Sequence, residues 1–231
     1  MSKKEIRSLN ASNYDTYYSF TTAEVEKRAD GQISGHLHGL GIPYNKWANI
    51  GNMFMETIVP GAISERALKD VCMFTNHETN KIPLARTRNG NGSLKLEIDE
   101  TNGILYDTVL DIENNEEARK LCSAVARGDI LGTSFIMFVD KDRWEFPDGE
   151  LPKRYIENIG FIQEISPVNY PAYDSTTVSL RSAEAPEDAR AVLEKAKTQL
   201  LEKRQAEVEA LQKAKVAELK AQIKKQYGGK F

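Results

Sequence analysis

Residues 131–139 read Leu-Gly-Thr-Ser-Phe-Ile-Met-Phe-Val, and residues 158–168 read Asn-Ile-Gly-Phe-Ile-Gln-Glu-Ile-Ser-Pro-Val. Both stretches are short and rich in β-branched and aromatic side chains, so each predicts a β-strand. Each also holds a polar residue that a buried strand has little reason to contain, Ser134 in the first and Glu164 in the second. The two stretches therefore favour a mainly β fold and single out two residues for chemistry.

Further elements are predicted upstream of these two strands. Residues 32–40 and 103–112 are typical of strands, and residues 93–98 alternate apolar and polar side chains. The Asn-Gly-Asn-Gly segment before them, residues 89–92, predicts a hairpin turn. Residues 116–127 predict a helix with one apolar face, and Gly128 follows as its stop signal. We therefore expect an α+β fold, mainly β, over residues 31–182.

Residues 183–231 have a different composition from the rest of the chain. Residues 1–182 carry a net charge of −6, whereas residues 183–231 carry +3 and contain no proline or glycine between Pro186 and Gly228. Residues 187–227 therefore predict one long amphipathic helix, whose apolar stripe drifts around its axis. Such a helix either binds a partner or remains a solvated charged tail.

Composition excludes several classes of protein. The chain has 231 residues and a net charge of −3, which gives no basic field for nucleic acid. No apolar run approaches the roughly 18 residues that a membrane-spanning helix needs. The polar N-terminus argues against a signal peptide, and we expect residues 1–30 to form a mobile arm. Two cysteines are too few for a disulfide framework, which favours a reducing cytosol.

His77 and Ser134 are the first candidates for catalysis. His77 lies in a polar segment, Thr-Asn-His-Glu-Thr-Asn, and a loop histidine is a natural general base. A surface histidine without a function has the same pattern. Ser134 could equally be a core serine bonded to a neighbouring carbonyl. It is not in a nucleophile elbow, because Ile136 replaces the second glycine and a strand follows.

Glu164 is the third candidate. It lies between Ile162 and Ile165, where a buried carboxylate needs a partner. If it accepts a hydrogen bond from His77 Nδ1, the other ring nitrogen is free to face a hydroxyl nucleophile. The alternative partner is a basic side chain, Arg154 or Arg181.

The sequence predicts no metal and no cofactor. His36 and His38 form a His-x-His pair, but the further ligands that a structural zinc site needs are missing. No phosphate-binding, dinucleotide-binding or zinc-protease motif occurs. Cys72 lies in an apolar stretch, which argues against thiol catalysis.

Five short motifs follow one another over about 120 residues. They are Phe54-x-Glu56-x-Ile58-x-Pro60-Gly61-Ala62, Asn76-His77-Glu78 with Leu84 and Arg86, Asp99-Glu100-x-x-Gly103-Ile104, Leu131-Gly132-Thr133-Ser134-Phe135, and Glu164-Ile165-Ser166-x-Val168 with Pro171-Ala172-Tyr173. In this order they resemble the motifs of the prohead protease family of tailed bacteriophages, the capsid maturation serine proteases. One such motif would be weak, but five in order make chance similarity a poor explanation.

The resemblance implies a fold and a set of roles. Ser134 would be the nucleophile, His77 the general base and Glu164 the third member. If Glu164 does not fill the third role, Asp99 or Glu100 is next in line. The family is similar in fold to the herpesvirus assemblins, which implies a β-barrel of about seven strands ringed by helices over residues 31–182. Residues 183–231 would be a helical tail that contacts scaffold or is removed by self-cleavage.

The resemblance also implies a reaction and its setting. Peptide bonds would be hydrolysed through an acyl-enzyme without a cofactor. The partners would be the major capsid protein with its scaffold segment, other prohead proteins and further copies of the protease, inside the assembling prohead in the host bacterial cytoplasm. No nucleic acid or membrane partner is expected. The alternatives are a non-enzymatic scaffold protein, and a generic esterase, for which the nucleophile elbow is missing.

Overall fold

The computed structural model describes residues 3–7, 23–27, 29, 31–169 and 185–227. The chain divides into two compact units, residues 1–187 and residues 188–231. In the described residues the helices are α1 (Glu116–Arg127) and α2 (Ala185–Tyr227), with short 3-10 turns at Glu65–Leu68 and Arg88–Gly90. The strands are β1 (Lys3–Arg7), β2 (Glu24–Lys27), β3 (Ile33–Pro43), β4 (Ala48–Ile50), β5 (Phe54–Ile58), β6 (Cys72–Met73), β7 (Ala85–Arg86), β8 (Leu94–Asp99), β9 (Gly103–Val109), β10 (Gly132–Glu145) and β11 (Lys153–Val168).

These strands form two sheets. The larger sheet has the order β1-β10-β11-β5-β4, and the short β6 and β7 extend it from β11. The smaller sheet is antiparallel, with the order β2-β3-β9-β8. The long β11 pairs antiparallel with β10 and parallel with β5 and β6, so it is the central strand of the larger sheet.

The two sheets pack closely where β3 crosses the larger sheet. A Cβ atom at Gly41 would lie only 2.9 Å from Ile165 Cγ2, so a larger residue would push the sheets apart. Thr133 Oγ1 also donates to the carbonyl of Gly41 at 3.2 Å. Because side chains alternate along a strand, Ser134 and Glu164 point to the opposite face of the larger sheet, away from β3.

The helix α1 confirms the helix predicted from the sequence. The side chain of Asn115 accepts hydrogen bonds from the backbone N–H groups of Glu117 and Ala118, which caps the helix at its N-terminus. Gly128 ends it with a φ of 78°, a left-handed conformation that suits glycine. The apolar face of the helix, including Leu121 and Val125, is buried.

The mainly β class and the long C-terminal helix are confirmed, but no closed barrel is found among the described residues. The larger sheet ends at β1 and β4, and no described pairing joins these two strands. The Asn-Gly-Asn-Gly segment at residues 89–92 also differs from the predicted hairpin, because β7 and β8 belong to different sheets. In the described body α1 is the single α-helix, so a ring of helices is not found there either. The likeness to an assemblin barrel stays a prediction.

A buried ion pair fixes β5 against the first half of β11. The guanidinium of Arg154 donates to Glu56 Oε2 at 2.9 Å and to Asp142 Oδ2 at 2.7 Å, and both Arg154 and Glu56 are fully buried. Removing one partner of such a pair leaves an uncompensated buried charge. Glu56, the acidic residue of the first motif, therefore holds β5 against β11 through Arg154, and Arg154 also binds Asp142 of β10.

Candidate active site

The hairpin of β10 and β11 sets the positions of two of the three candidate residues. In its register Ser134 lies opposite Ser166, and Ile136 lies opposite Glu164. Glu164 and Ser166 are two residues apart on β11, so their side chains share one face with Ser134. Ser134, Glu164 and Ser166 are all buried. The hairpin thus places a hydroxyl and a carboxylate on the same face without help from any other element.

His77 is supplied by the loop that connects β6 and β7. Asn76 and His77 have φ angles of 53° and 60°, which are uncommon for residues other than glycine. Asn76 fastens this loop to the end of β11. Its N–H donates to the Pro167 carbonyl at 3.0 Å, and its side-chain oxygen accepts from the Asn169 N–H at 2.8 Å. This clamp offsets the strain of two successive left-handed residues.

The imidazole of His77 lies between the two side chains of the hairpin. Its Nε2 is 2.7 Å from Ser134 Oγ, a normal hydrogen-bond distance. Its Nδ1 is hydrogen-bonded to Glu164 Oε1. A carboxylate accepts only, so Nδ1 carries the proton and Nε2 accepts from the Ser134 hydroxyl. The arrangement can therefore remove a proton from Ser134 and hold the resulting positive charge beside a carboxylate.

Ser166 belongs to the same network, although the sequence analysis did not identify it as a functional residue. Its hydroxyl donates to Glu164 Oε2 at 2.6 Å and accepts from the Phe74 N–H at 3.0 Å. Both carboxylate oxygens of Glu164 are therefore hydrogen-bonded. The signal that could have found Ser166 is its spacing, since residues two apart in a strand share a face. Ser166 therefore links the Glu164 carboxylate to the backbone at Phe74 and fixes its orientation.

We expect Ser166→Ala to lower kcat by about 10- to 100-fold with little change in KM, because a hydrogen bond to a charged group contributes about 1.5–3 kcal/mol. Ser166→Thr keeps the hydroxyl and should retain more activity. The measurement is steady-state hydrolysis of a peptide, with the thermal midpoint of each variant recorded in parallel. A loss of stability with an unchanged kcat would assign Ser166 a purely structural role.

The other candidate residues have different surroundings. Arg154 is bonded to Glu56 and Asp142 instead of Glu164, and Arg181 lies outside the described residues. Asp99 accepts hydrogen bonds from the N–H groups of Thr101 and Asn102 in the turn between β8 and β9, which lowers the pKa of its carboxyl group. Its contacts are those of a turn residue.

Cys72 lies next to Glu164 across the pairing of β6 with β11. Burial raises the pKa of its thiol above the ordinary value, which favours the protonated form. The thiolate is the reactive form of cysteine, so a raised pKa disfavours nucleophilic chemistry here. Ser134, whose hydroxyl is hydrogen-bonded to His77 Nε2, is the stronger candidate for the nucleophile.

In the described part of the chain, no group of three or more His, Cys, Asp or Glu side chains is arranged to hold a metal ion. The Nδ1 atom of His36 lies 3.0 Å from Glu26 Oε2, and its Nε2 contacts Asp107. Hydrogen bonds to these two carboxylates raise the pKa of His36. Among the described helices, none is both long and apolar enough to cross a membrane.

Comparison with known proteins identifies the family. A family model described as caudovirus prohead serine protease matches residues 21–189, which include all three candidate residues and most of the chain. Comparisons with curated proteins and with solved structures gave no match. The match covers both sheets except β1, together with the loop that carries His77. The chain belongs to the caudovirus prohead serine protease family.

Proposed function

We propose that this protein is the serine endopeptidase that matures the prohead of a tailed phage, with Ser134 as nucleophile, His77 as general base and Glu164 as the residue that orients the base. The observation that supports this most directly is the position of His77, whose ring nitrogens contact Ser134 on one side and Glu164 on the other. A generic esterase is less well supported, because Ser134 lies within β10 and not in a turn between a strand and a helix.

In the first half of the reaction, Ser134 Oγ attacks the carbonyl carbon of the scissile peptide bond while its proton passes to His77 Nε2. Glu164 stabilises the imidazolium that forms, through its hydrogen bond to Nδ1–H. His77 then gives the proton to the leaving amine, and the carbon–nitrogen bond breaks. The product is an ester between Ser134 and the acyl part of the substrate.

In the second half, water takes the place of the amine. His77 Nε2 removes a proton from the water as it attacks the ester carbonyl, and returns that proton to Ser134 Oγ as the ester bond breaks. The released acid leaves the enzyme in its original state. Backbone N–H groups near Ser134 are the expected donors to the carbonyl oxygen during both attacks.

The substrates that we propose are the scaffold segment of the capsid protein, other prohead proteins and the protease itself, inside the assembling particle in the host cytoplasm. The test is to co-express the chain with the capsid protein of its phage and to identify the cleavage products by mass spectrometry. Defined shortened products that require Ser134 would support the proposal. An uncut capsid protein that still assembles in the presence of this chain would favour the non-enzymatic scaffold instead.

The helix α2 gives the tail a separate role in this proposal. Six large apolar side chains along it are about half exposed or more; they are Leu201, Val208, Leu211, Val216, Leu219 and Ile223. A helix with exposed apolar residues is stabilised when it pairs with another helix. We therefore assign the tail, residues 183–231, to recruitment into the prohead through scaffold helices, followed by its removal through self-cleavage.

We expect a chain that ends near Ser182 to cleave a peptide in vitro but to be missing from purified proheads, because the truncation leaves the three catalytic candidates in place and removes the recruiting helix. The measurement is an immunoblot of proheads isolated after co-expression with capsid protein. The control is the full chain with Ser134→Ala, which keeps the tail and should be incorporated. Normal incorporation of the truncated chain would show that the tail is only a solvated appendage.

A further inference from the structure

The outer edge of β10 is covered by β1, a strand within the residues 1–30 that the sequence predicts as a mobile arm. β1 pairs antiparallel with β10, with Lys3 opposite Val139 and Arg7 opposite Phe135. The other edge of β10 is paired with β11 from Gly132 to Glu145. β1 therefore lies on the edge of β10 that faces away from β11. Its last residue pairs with Phe135, one position from Ser134.

A second backbone contact, made by Ala23, lies on the N-terminal side of Ser134 along β10. The N–H of Ala23 donates to the carbonyl of Leu131 at 3.2 Å, three residues before Ser134. β1 and Ala23 therefore flank Ser134 along β10, with β1 on its C-terminal side and Ala23 on its N-terminal side. These contacts are made by the backbone, so they do not depend on particular side chains.

A strand edge is the natural binding site for an extended peptide, because its free N–H and C=O groups pair with the peptide backbone. β1 runs toward Ser134 in its own N-to-C direction. A substrate in the same place and direction would pair its residues before the scissile bond with Phe135–Val139. The peptide carbonyl that follows the paired residues of the substrate would then lie beside the Ser134 hydroxyl, where it can be attacked.

We propose that the outer edge of β10, Phe135–Val139, is the substrate-binding edge of the protease, and that β1 is an intramolecular competitor that substrate must displace. This inference rests on the proposed function. β1 has five residues and is paired only with β10 in the described sheet, so a peptide at high local concentration competes with it for the same edge. If the open form is about 10% of molecules, the apparent KM is raised about 10-fold.

Proline substitutions in the full chain test this competition. Consecutive strand residues direct their N–H groups to opposite edges, so of Glu5 and Ile6 one donates toward β10 and the other faces away. Glu5→Pro and Ile6→Pro therefore form a matched pair, in which one variant loses a pairing hydrogen bond and the other does not. Glu5→Ala and Ile6→Ala control for the loss of each side chain.

We expect one proline variant to lower KM for an extended peptide substrate by about 10-fold at unchanged kcat. The other proline variant and both alanine variants should have KM values closer to that of the unmodified chain. A synthetic peptide with the sequence of residues 1–7 should inhibit the activated variant competitively. A small fluorophosphonate, which does not use the strand edge, should label Ser134 at the same rate in every variant. An unchanged KM in both proline variants overturns the inference but leaves the proposed function standing.

A binding measurement keeps the inference testable without catalysis. If no variant reacts with the fluorophosphonate, the proposed function fails, and the fluorescently labelled peptide of residues 1–7 is titrated against the activating proline variant combined with Ser134→Ala. If activity does not show which of the two proline variants opens the edge, each is combined with Ser134→Ala and titrated. Saturable binding that is weaker to the chain with Ser134→Ala alone, in which β1 stays paired with β10, supports the substrate-binding edge, whereas absence of binding to both variants overturns it. Circular dichroism of each variant establishes that it is folded.

Discussion

Ser134→Ala is expected to lower the rate of peptide hydrolysis by about 10⁶-fold, to the level that substrate binding and the donors to the carbonyl oxygen provide. The change removes a single oxygen, and with it the atom that would form the acyl-enzyme. The fold should be retained, because Ser134 is buried within β10 and alanine fits the space that the serine occupied. Thermal unfolding of the two proteins should therefore differ little.

The measurement is cleavage of capsid protein and of a peptide, together with fluorophosphonate labelling followed by mass spectrometry. The label should be found on Ser134 and be absent from the variant. Ser64→Ala is a suitable control, since Ser64 is exposed and its side chain makes no capping hydrogen bond. Unchanged processing by Ser134→Ala would make Ser134 a core residue and would favour the scaffold alternative.

Glu164→Gln is expected to lower kcat by about 10⁴-fold, less than the loss of the nucleophile. The amide can still contact His77 Nδ1, but it is uncharged and stabilises the imidazolium less. The amide can also donate to Nδ1, which would place the proton on Nε2 and leave nothing to accept the proton of Ser134. Both effects act on the chemical step, so KM should change little.

Steady-state kinetics across a range of pH values measures this loss, with Glu100→Gln as the matched control. Glu100 is exposed and carries the same substitution outside the network around His77. The control also tests the alternative assignment of the third role. If Glu164→Gln retained full activity while Glu100→Gln or Asp99→Asn lost it, the third role would belong to the turn between β8 and β9.

Long elements with a clear pattern could be predicted from the sequence. α1 and α2 lie where their patterns predict helices, and β10 and β11 include the two stretches that their β-branched and aromatic content marks as strands. Both strands are longer than predicted, since β10 continues to Glu145 and β11 begins at Lys153. The two-residue strands β6 and β7 carry no such pattern. Their pairing depends on the central strand β11, which lies about 80 to 90 residues further along the chain.

The candidate site shows the same division. The polar residues Ser134 and Glu164 could be identified because each interrupts an apolar strand. The conformation of His77 could not, because its left-handed backbone is held by contacts between Asn76 and the end of β11. The division of the described strands into two sheets was likewise beyond the sequence, since strand patterns report which face is buried and not which strands are neighbours.

The register of the β10–β11 hairpin has a consequence for how this chain can change in evolution. Ser134 and Glu164 are 30 positions apart in sequence, yet residues 146–152, which connect the two strands, set neither side chain's face. Lengthening that connection leaves both arms of the hairpin intact. One residue inserted between Ser134 and Ile136, however, turns the hydroxyl to the opposite face, toward β3. Insertions are therefore compatible with the site in the connection between the two strands, but not next to Ser134.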